Sequence, residues 1–146
     1  MNRVSFNTEG VPPPAWMGKA KLYILEVLNH LRKERWDVSV LLCGNNKIME
    51  LNSEYRKKNE ATDILTFVQG ETVRGRFIAG DIVISLQALD ENTGYFGVSS
   101  DEELRRLLIH GILHLDGMDH KTNSGTEPML ELQEKILTEI TGETII

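Results

Sequence analysis

Three of the chain's four histidines, His110, His114 and His120, fall inside one short stretch, LLIHGILHLDGMDH from Leu107 to His120. If that stretch is helical, positions 110 and 114 lie about 40° apart round the axis and about 6 Å apart along it, so both imidazoles can reach one metal ion. Gly117 is placed to stop the helix, because glycine takes the left-handed conformation of a C-terminal cap without steric penalty. The chain can then double back and bring His120 to the same point. Three nitrogen ligands with a fourth position open is the arrangement of a catalytic rather than a structural zinc site. A metal held by three neutral imidazoles keeps its full charge and can activate water or polarise a phosphoryl oxygen. Imidazole ligands suit zinc but also copper and nickel. The expectation is therefore one Zn2+, with another divalent ion such as Ni2+ as the alternative.

The spacing HxxxHxxGxxH is shared with the metzincin zinc proteases, which carry Glu after the first histidine. Here that position is Gly111. The glutamate is the general base of peptide hydrolysis in zincins, so its absence argues against that mechanism, and no obvious general base replaces it. Asp119, just before His120, suits either bracing of the turn through nearby amides or orientation of a ligand imidazole from outside; a role as base is the third reading. Arg56 opens a basic cluster with Lys57 and Lys58. On its residues alone it reads first as a solvated helix end beside the terminal carbonyls, and second as a planar donor fork for a phosphate. Asp63 and Asp81 lie beside strands and suit loop bracing as well as substrate contact. His30, among charged neighbours, reads as a surface residue, and Cys43, in an apolar run, as core.

These groups need a frame. Leu104, Leu108, Ile112 and Leu115 fill one side of a helical wheel, and Leu107, Ile109 and Leu113 spread the apolar surface most of the way round, which marks a buried central helix. Arg105, Arg106 and the acidic residues before them belong to its exposed first turns. Ser99 and Ser100 each have Glu three residues later, two chances at a capping box. Upstream, Arg3 to Asn7 reads as a short strand. Three prolines lead into a helix from about Ala15 to Glu34, with Leu22, Leu25, Leu28 and Leu31 facing inward. Asp37 to Cys43 reads as a buried strand. The next helix is capped by Asn45 or Asn46, with Ile48, Leu51 and Tyr55 at core spacing. A loop over Asn59 to Thr62 precedes a strand from Ile64 to Val68. A polar turn over Gly70 to Gly75 follows, then a strand from Arg76 to Ser85 interrupted by Gly80, so that these strands pair as a hairpin. Leu86 to Asp90 reads as a helical turn and Glu91 to Ser99 as loop. The last helix starts near Thr126, with Pro128 in its first turn, and stops near Gly142; Met129, Leu132, Ile136 and Ile140 face inward. The sum is an α/β (α+β) fold: one domain over 1–146, a small mixed sheet of about four strands and about five helices, zincin-like in its central HxxxH helix.

Composition narrows the class. With one cysteine no internal disulfide can form, and a reducing cytoplasm is the expected compartment. No apolar run approaches the roughly 20 residues of a membrane span, and the first residues lack the apolar segment of a signal peptide. A net charge of −6 counts against a general nucleic-acid coat protein but not against a locally basic groove.

With the motif and its setting read, the sequence resembles the YbeY family of bacterial ribosomal-RNA maturation endoribonucleases. That family's H-G-x-L-H-L-x-G-x-D-H is matched from His110 through Gly111, Leu113, His114, Leu115, Gly117 and Asp119 to His120. Two further blocks are similar and in the family's order: Leu51-Asn52, Tyr55-Arg56, Lys58 and Thr62 to Phe67, then Gly80 to Ile84. The departures are Asn59 and Ala61, where the family carries Asp and Pro, and Val68, where Pro is frequent; they bear on loop stiffness rather than on the histidines. The resemblance implies one zinc ion on His110, His114 and His120, and cleavage of single-stranded RNA. It also implies a role in maturation and quality control of small-subunit (16S) rRNA, with ribosomal RNA, the ribosome or its proteins as partners. Arg56 matches the family's functionally important arginine, so Arg56 and His110 are the expected catalytic residues, with Arg56 also binding phosphate. Two other readings stand beside this one: a metal-dependent hydrolase of a peptide or small molecule, and a non-catalytic ribosome-assembly factor whose metal is structural.

Overall fold

The central helix is where the sequence places it, running Ser100–Leu115 and burying apolar side chains on nearly every side. The structure, a computed structural model, describes residues 1–58, 62–142 and 144–146; the expectations for Asn59 and Ala61 lie outside them. In chain order the elements are β1 (Arg3–Thr8), α1 (Met17–His30), β2 (Trp36–Cys43), α2 (Asn45–Arg56), β3 (Ile64–Val73), β4 (Arg76–Ser85), α3 (Leu86–Phe96), α4 (Ser100–Leu115) and α5 (Pro128–Glu139). The four strands form one mixed sheet in the order β1-β2-β4-β3, parallel except for the β3–β4 hairpin. That leaves β3 as an open edge.

Alternation along the strands divides the sheet into two unequal faces. Val38, Val40, Leu42, Ile82 and Ile84 join Val4 and the inner faces of α1, α4 and α5 in the main core. The other face carries a small cluster, Cys43, Ile48, Leu65 and Val83, under α2. The α4 helix is thus sandwiched between sheet and helices, and it fits closely. A Cβ at Gly111 would lie 2.8 Å from Cδ1 of Ile82, a fully buried β-branched side chain. The position that holds the zincin glutamate therefore faces β4 here, where no longer side chain has room.

Several expected details shift. The α1 helix stops at His30, not Glu34, because Arg32 takes the left-handed conformation (φ 58) and the Arg32 and Lys33 amides close the helix on Asn29 and Leu28; a non-glycine residue in that role leaves no mark in sequence. Its buried face is Ala20, Tyr23, Ile24, Val27 and Leu28, while Leu22 is 61% exposed. Gly44, not an asparagine, is the N-cap of α2, and Tyr55 is exposed. β3 runs to Val73 through the stretch expected to turn, because its amides pair with β4 beyond a bulge between Val68 and Glu71. α3 extends to Phe96, three turns rather than one. The last helix is shorter, with Pro128 at its first position.

The first turns of α4 are also less exposed than expected. Only the Ser99 half of the capping pair forms, its hydroxyl accepting from the Glu102 amide. Asp101 and Glu103 are buried. Asp101 accepts from the Ile145 and Ile146 amides and pairs with Arg105 at 2.9 Å, tying the chain's end to α4.

Candidate metal centre

His110 and His114 leave α4 one turn apart and line the same cavity. The helix then ends in a Schellman turn: the Gly117 amide bonds the His114 carbonyl and the Met118 amide bonds that of Leu113, with Gly117 left-handed at φ 91. That reversal carries His120 back to the same place. The three residues offer ring nitrogens that all lie within 4.8 Å of one another.

Each ring is held from behind by an oxygen. Nδ1 of His110 lies 2.6 Å from Gln133 Oε1, Nδ1 of His114 lies 3.0 Å from the Met118 carbonyl, and Nδ1 of His120 lies 2.9 Å from the Thr122 carbonyl. A carbonyl oxygen only accepts, so each Nδ1 carries the proton and each Nε2 presents a bare lone pair. Burial, above all, holds both His110 and His114 below the ordinary imidazole pKa, so these two rings stay neutral. Their Nε2 atoms nonetheless face each other at 3.1 Å. Two lone pairs at that distance repel unless a cation lies between them. The donor set, its tautomers and its spacing therefore fit a divalent metal on His110, His114 and His120.

The histidines open into a cavity of about 800 Å3. Arg56 reaches it round the open edge of β3, where its Nη2 donates to the Thr66 carbonyl at 3.2 Å. Asp63 is on the wall and accepts from Asn92 Nδ2 at 3.0 Å. The Asp119 carboxylate accepts from the His120 backbone amide at 2.8 Å and touches no imidazole nitrogen. Asp81 is on the sheet face opposite α4, outside the cavity, as are Lys57 and Lys58. His30 bonds Glu139 at 2.7 Å and links α1 to α5. Cys43 is buried, which pushes its thiol up to about 11 and leaves it unreactive.

Sequence reasoning missed the support behind His110. Gln133 lies on the inner stripe of α5, one turn after Met129, and is 6% exposed. Its Nε2 donates to Glu134 Oε2 at 3.1 Å, which fixes the amide with Oε1 toward His110. Arg106 forks onto both Glu134 oxygens at 2.9 Å and donates from Nη1 to Glu103 at 3.2 Å. Hydrogen bonds from Arg106 hold the Glu134 carboxyl below its ordinary pKa, while burial raises that of Glu103. The available signal was a lone amide on an otherwise apolar helical face. Gln133→Leu, of similar volume but with no acceptor, is expected to weaken metal binding by about 10–100-fold, read by competition titration with a zinc-selective chromophore. Unchanged affinity would show that Gln133 does not orient His110.

The chain is similar to known proteins along most of its length. Residues 11–141 match the family model described as Endoribonuclease YbeY. The chain is 43% identical to the Endoribonuclease YbeY of Treponema pallidum (strain Nichols), over 95% of this chain and 90% of that one. It is 46% identical to that of Treponema denticola, over 92% and 89%, and 36% identical to that of a Sulfurihydrogenibium species, over 97% and 95%. The solution structure of a Thermotoga maritima protein superposes with a TM-score of 0.65 at 29% identity, covering 95% of this chain and 88% of that one. By motif, fold and relatedness along nearly its whole length, the chain belongs to the YbeY endoribonuclease family.

Proposed function

We propose that residues 1–146 form one metal-dependent hydrolase domain that cuts single-stranded RNA in maturation and quality control of small-subunit (16S) rRNA, in the cytoplasm and in contact with the ribosome. RNA as substrate follows from the name its relatives share; the ribosomal assignment rests on the motif resemblance. Among the described residues no helix is long and apolar enough to cross a membrane. The observation that carries the reading is the bare Nε2 pair of His110 and His114 at 3.1 Å, in one cavity with His120 and the Arg56 guanidinium.

His110, His114 and His120 would hold the ion, zinc by ligand type. When bound, that ion supplies a Lewis acid for a phosphoryl oxygen and a means of activating a nucleophile near neutral pH. The chain's own residues do the rest. Arg56 presents a planar fork to the non-bridging oxygens of the scissile phosphate and offsets the charge that builds there in the transition state. Gln133 keeps His110 in the tautomer that leaves Nε2 bare, and Asp119 fixes the backbone that delivers His120. The Gly111–Ile82 contact counts against peptide hydrolysis by the zincin route, since it leaves no room for that glutamate.

The test is cleavage of a labelled single-stranded RNA by protein of known metal content. Arg56→Ala is expected to lower kcat about 100- to 1,000-fold, the scale of removing one transition-state donor. Arg56→Lys should recover only part, because an ammonium lacks the fork. Cleavage by Arg56→Ala at the intact rate would remove the phosphate role and point to a contaminating nuclease.

A further inference from the structure

Tyr95 and Phe96 close α3 with their rings edge to face, centroids 5.0 Å apart at 89°. Both stay in solvent, 83% and 61% exposed, and neither belongs to either core cluster. Two uncovered rings forgo the burial by which aromatic side chains usually stabilise a fold. Phe96 is also part of the wall of the histidine cavity, and apart from the histidines it is the one aromatic ring there among the described residues. The same cavity holds the arginine and the imidazoles suited to a phosphate, and next to every phosphate of an unpaired strand is a base with a free π-face. An exposed aromatic beside a phosphate site is the usual platform for such a base.

We infer that Phe96, braced by Tyr95, stacks on the base flanking the scissile phosphate, and that this contact favours unpaired over paired RNA at the cut. In a duplex that base is stacked between its neighbours and cannot lie on the ring. The inference rests on reading the cavity as an RNA-cleaving site.

The experiment uses an RNA oligonucleotide with one cut site and a series in which each position near the cut carries an abasic ribose in turn. With the metal-loaded intact protein, one abasic position is expected to raise KM about tenfold. Phe96→Ala should raise KM by a similar factor on the unmodified strand with kcat little changed, and should show no further loss at that abasic position, since both changes remove the same contact. Phe96→Trp should restore KM, and the preference for single-stranded over hairpin substrate should shrink in Phe96→Ala. If the intact protein cuts RNA but no abasic position matters and Phe96→Ala keeps its KM, the stacking role is overturned and the endoribonuclease reading stands. If metal-loaded intact protein cuts no RNA at all, both fall.

Discussion

Protein carrying His114→Ala is expected to lose both its metal and its cleavage of RNA, while its fold persists. His114 contributes one of two Nε2 atoms that converge at 3.1 Å, so its removal leaves two ligands where three are needed. The loss should exceed the about 10–100-fold that removal of an outer partner causes. Two melting experiments separate the ion from the fold. Metal at a hundredfold excess over its Kd should stabilise the intact protein by about 2.7 kcal/mol, since it binds the folded state; the variant should show no such shift. Without metal the variant should melt close to the intact protein, because the half-buried ring faces the cavity and its deletion opens no sealed void. It also removes a lone-pair repulsion. A variant that binds metal with intact affinity, or cuts RNA at the intact rate, would contradict the three-imidazole site.

The same rings set the pH dependence. Burial holds His110 and His114 below the ordinary value of 6.5. A depressed imidazole pKa means the unfolded chain takes up protons first as pH falls. Apo stability is therefore fully present above about 6.5 and declines as pH drops through that value toward the folded pKa values. Apo melting at stepped pH checks this; stability that stays flat as pH falls below about 6.5 would show rings no harder to protonate than free imidazole.

The parts legible from sequence are those where one residue's type forces one geometry. HxxxH on an apolar helix, a glycine to cap it and a third histidine just beyond leave little freedom, and the left-handed stop at Gly117 forms as read. The mixed sheet is legible for another reason: alternating strand and helix favours parallel pairing, and the hairpin adds one antiparallel strand. What failed was set by distant partners. Leu22 fits an inward stripe at i, i+3 spacing, yet the surface α1 meets is centred on Ile24 and Val27. Asn92, Thr93 and Gly94 are weak helix formers, so α3 looked short, but Asn92 is tied to Asp63 and Leu89 is buried against the core. Gln133 reads as a tolerated polar residue until His110 lies opposite it. Asp101 reads as part of an exposed acidic first turn until the end of the chain folds onto it.

Gly80→Ala is expected to be among the most damaging single substitutions in the chain, and to reach the metal site without touching a ligand. Gly80 has φ 140, a conformation L side chains rarely adopt, and it stands where the register of β4 shifts against both neighbouring strands. A Cβ there would drive into the Phe67 carbonyl oxygen and lie 3.0 Å from the Gln69 amide and from Leu115 Cδ2. The first two neighbours are backbone of the paired β3 strand and cannot yield without opening the ladder. Strained backbone and overpacking together put the loss at about 4 kcal/mol, a large part of the 5–15 kcal/mol by which domains of ordinary stability stay folded. Leu115 ends α4 directly after His114, so whatever fraction folds should also hold its metal more weakly, the helix end and the Schellman turn having been pushed off the sheet. Gly94→Ala is the control: it lies inside α3 with nothing near its missing Cβ and should stabilise by up to about 1 kcal/mol through helix propensity. Urea denaturation of the three proteins decides it. Gly80→Ala within about 1 kcal/mol of the intact protein, a typical cost for a point substitution, would mean that the sheet can relax around the new methyl and that the seat of α4 does not depend on this glycine.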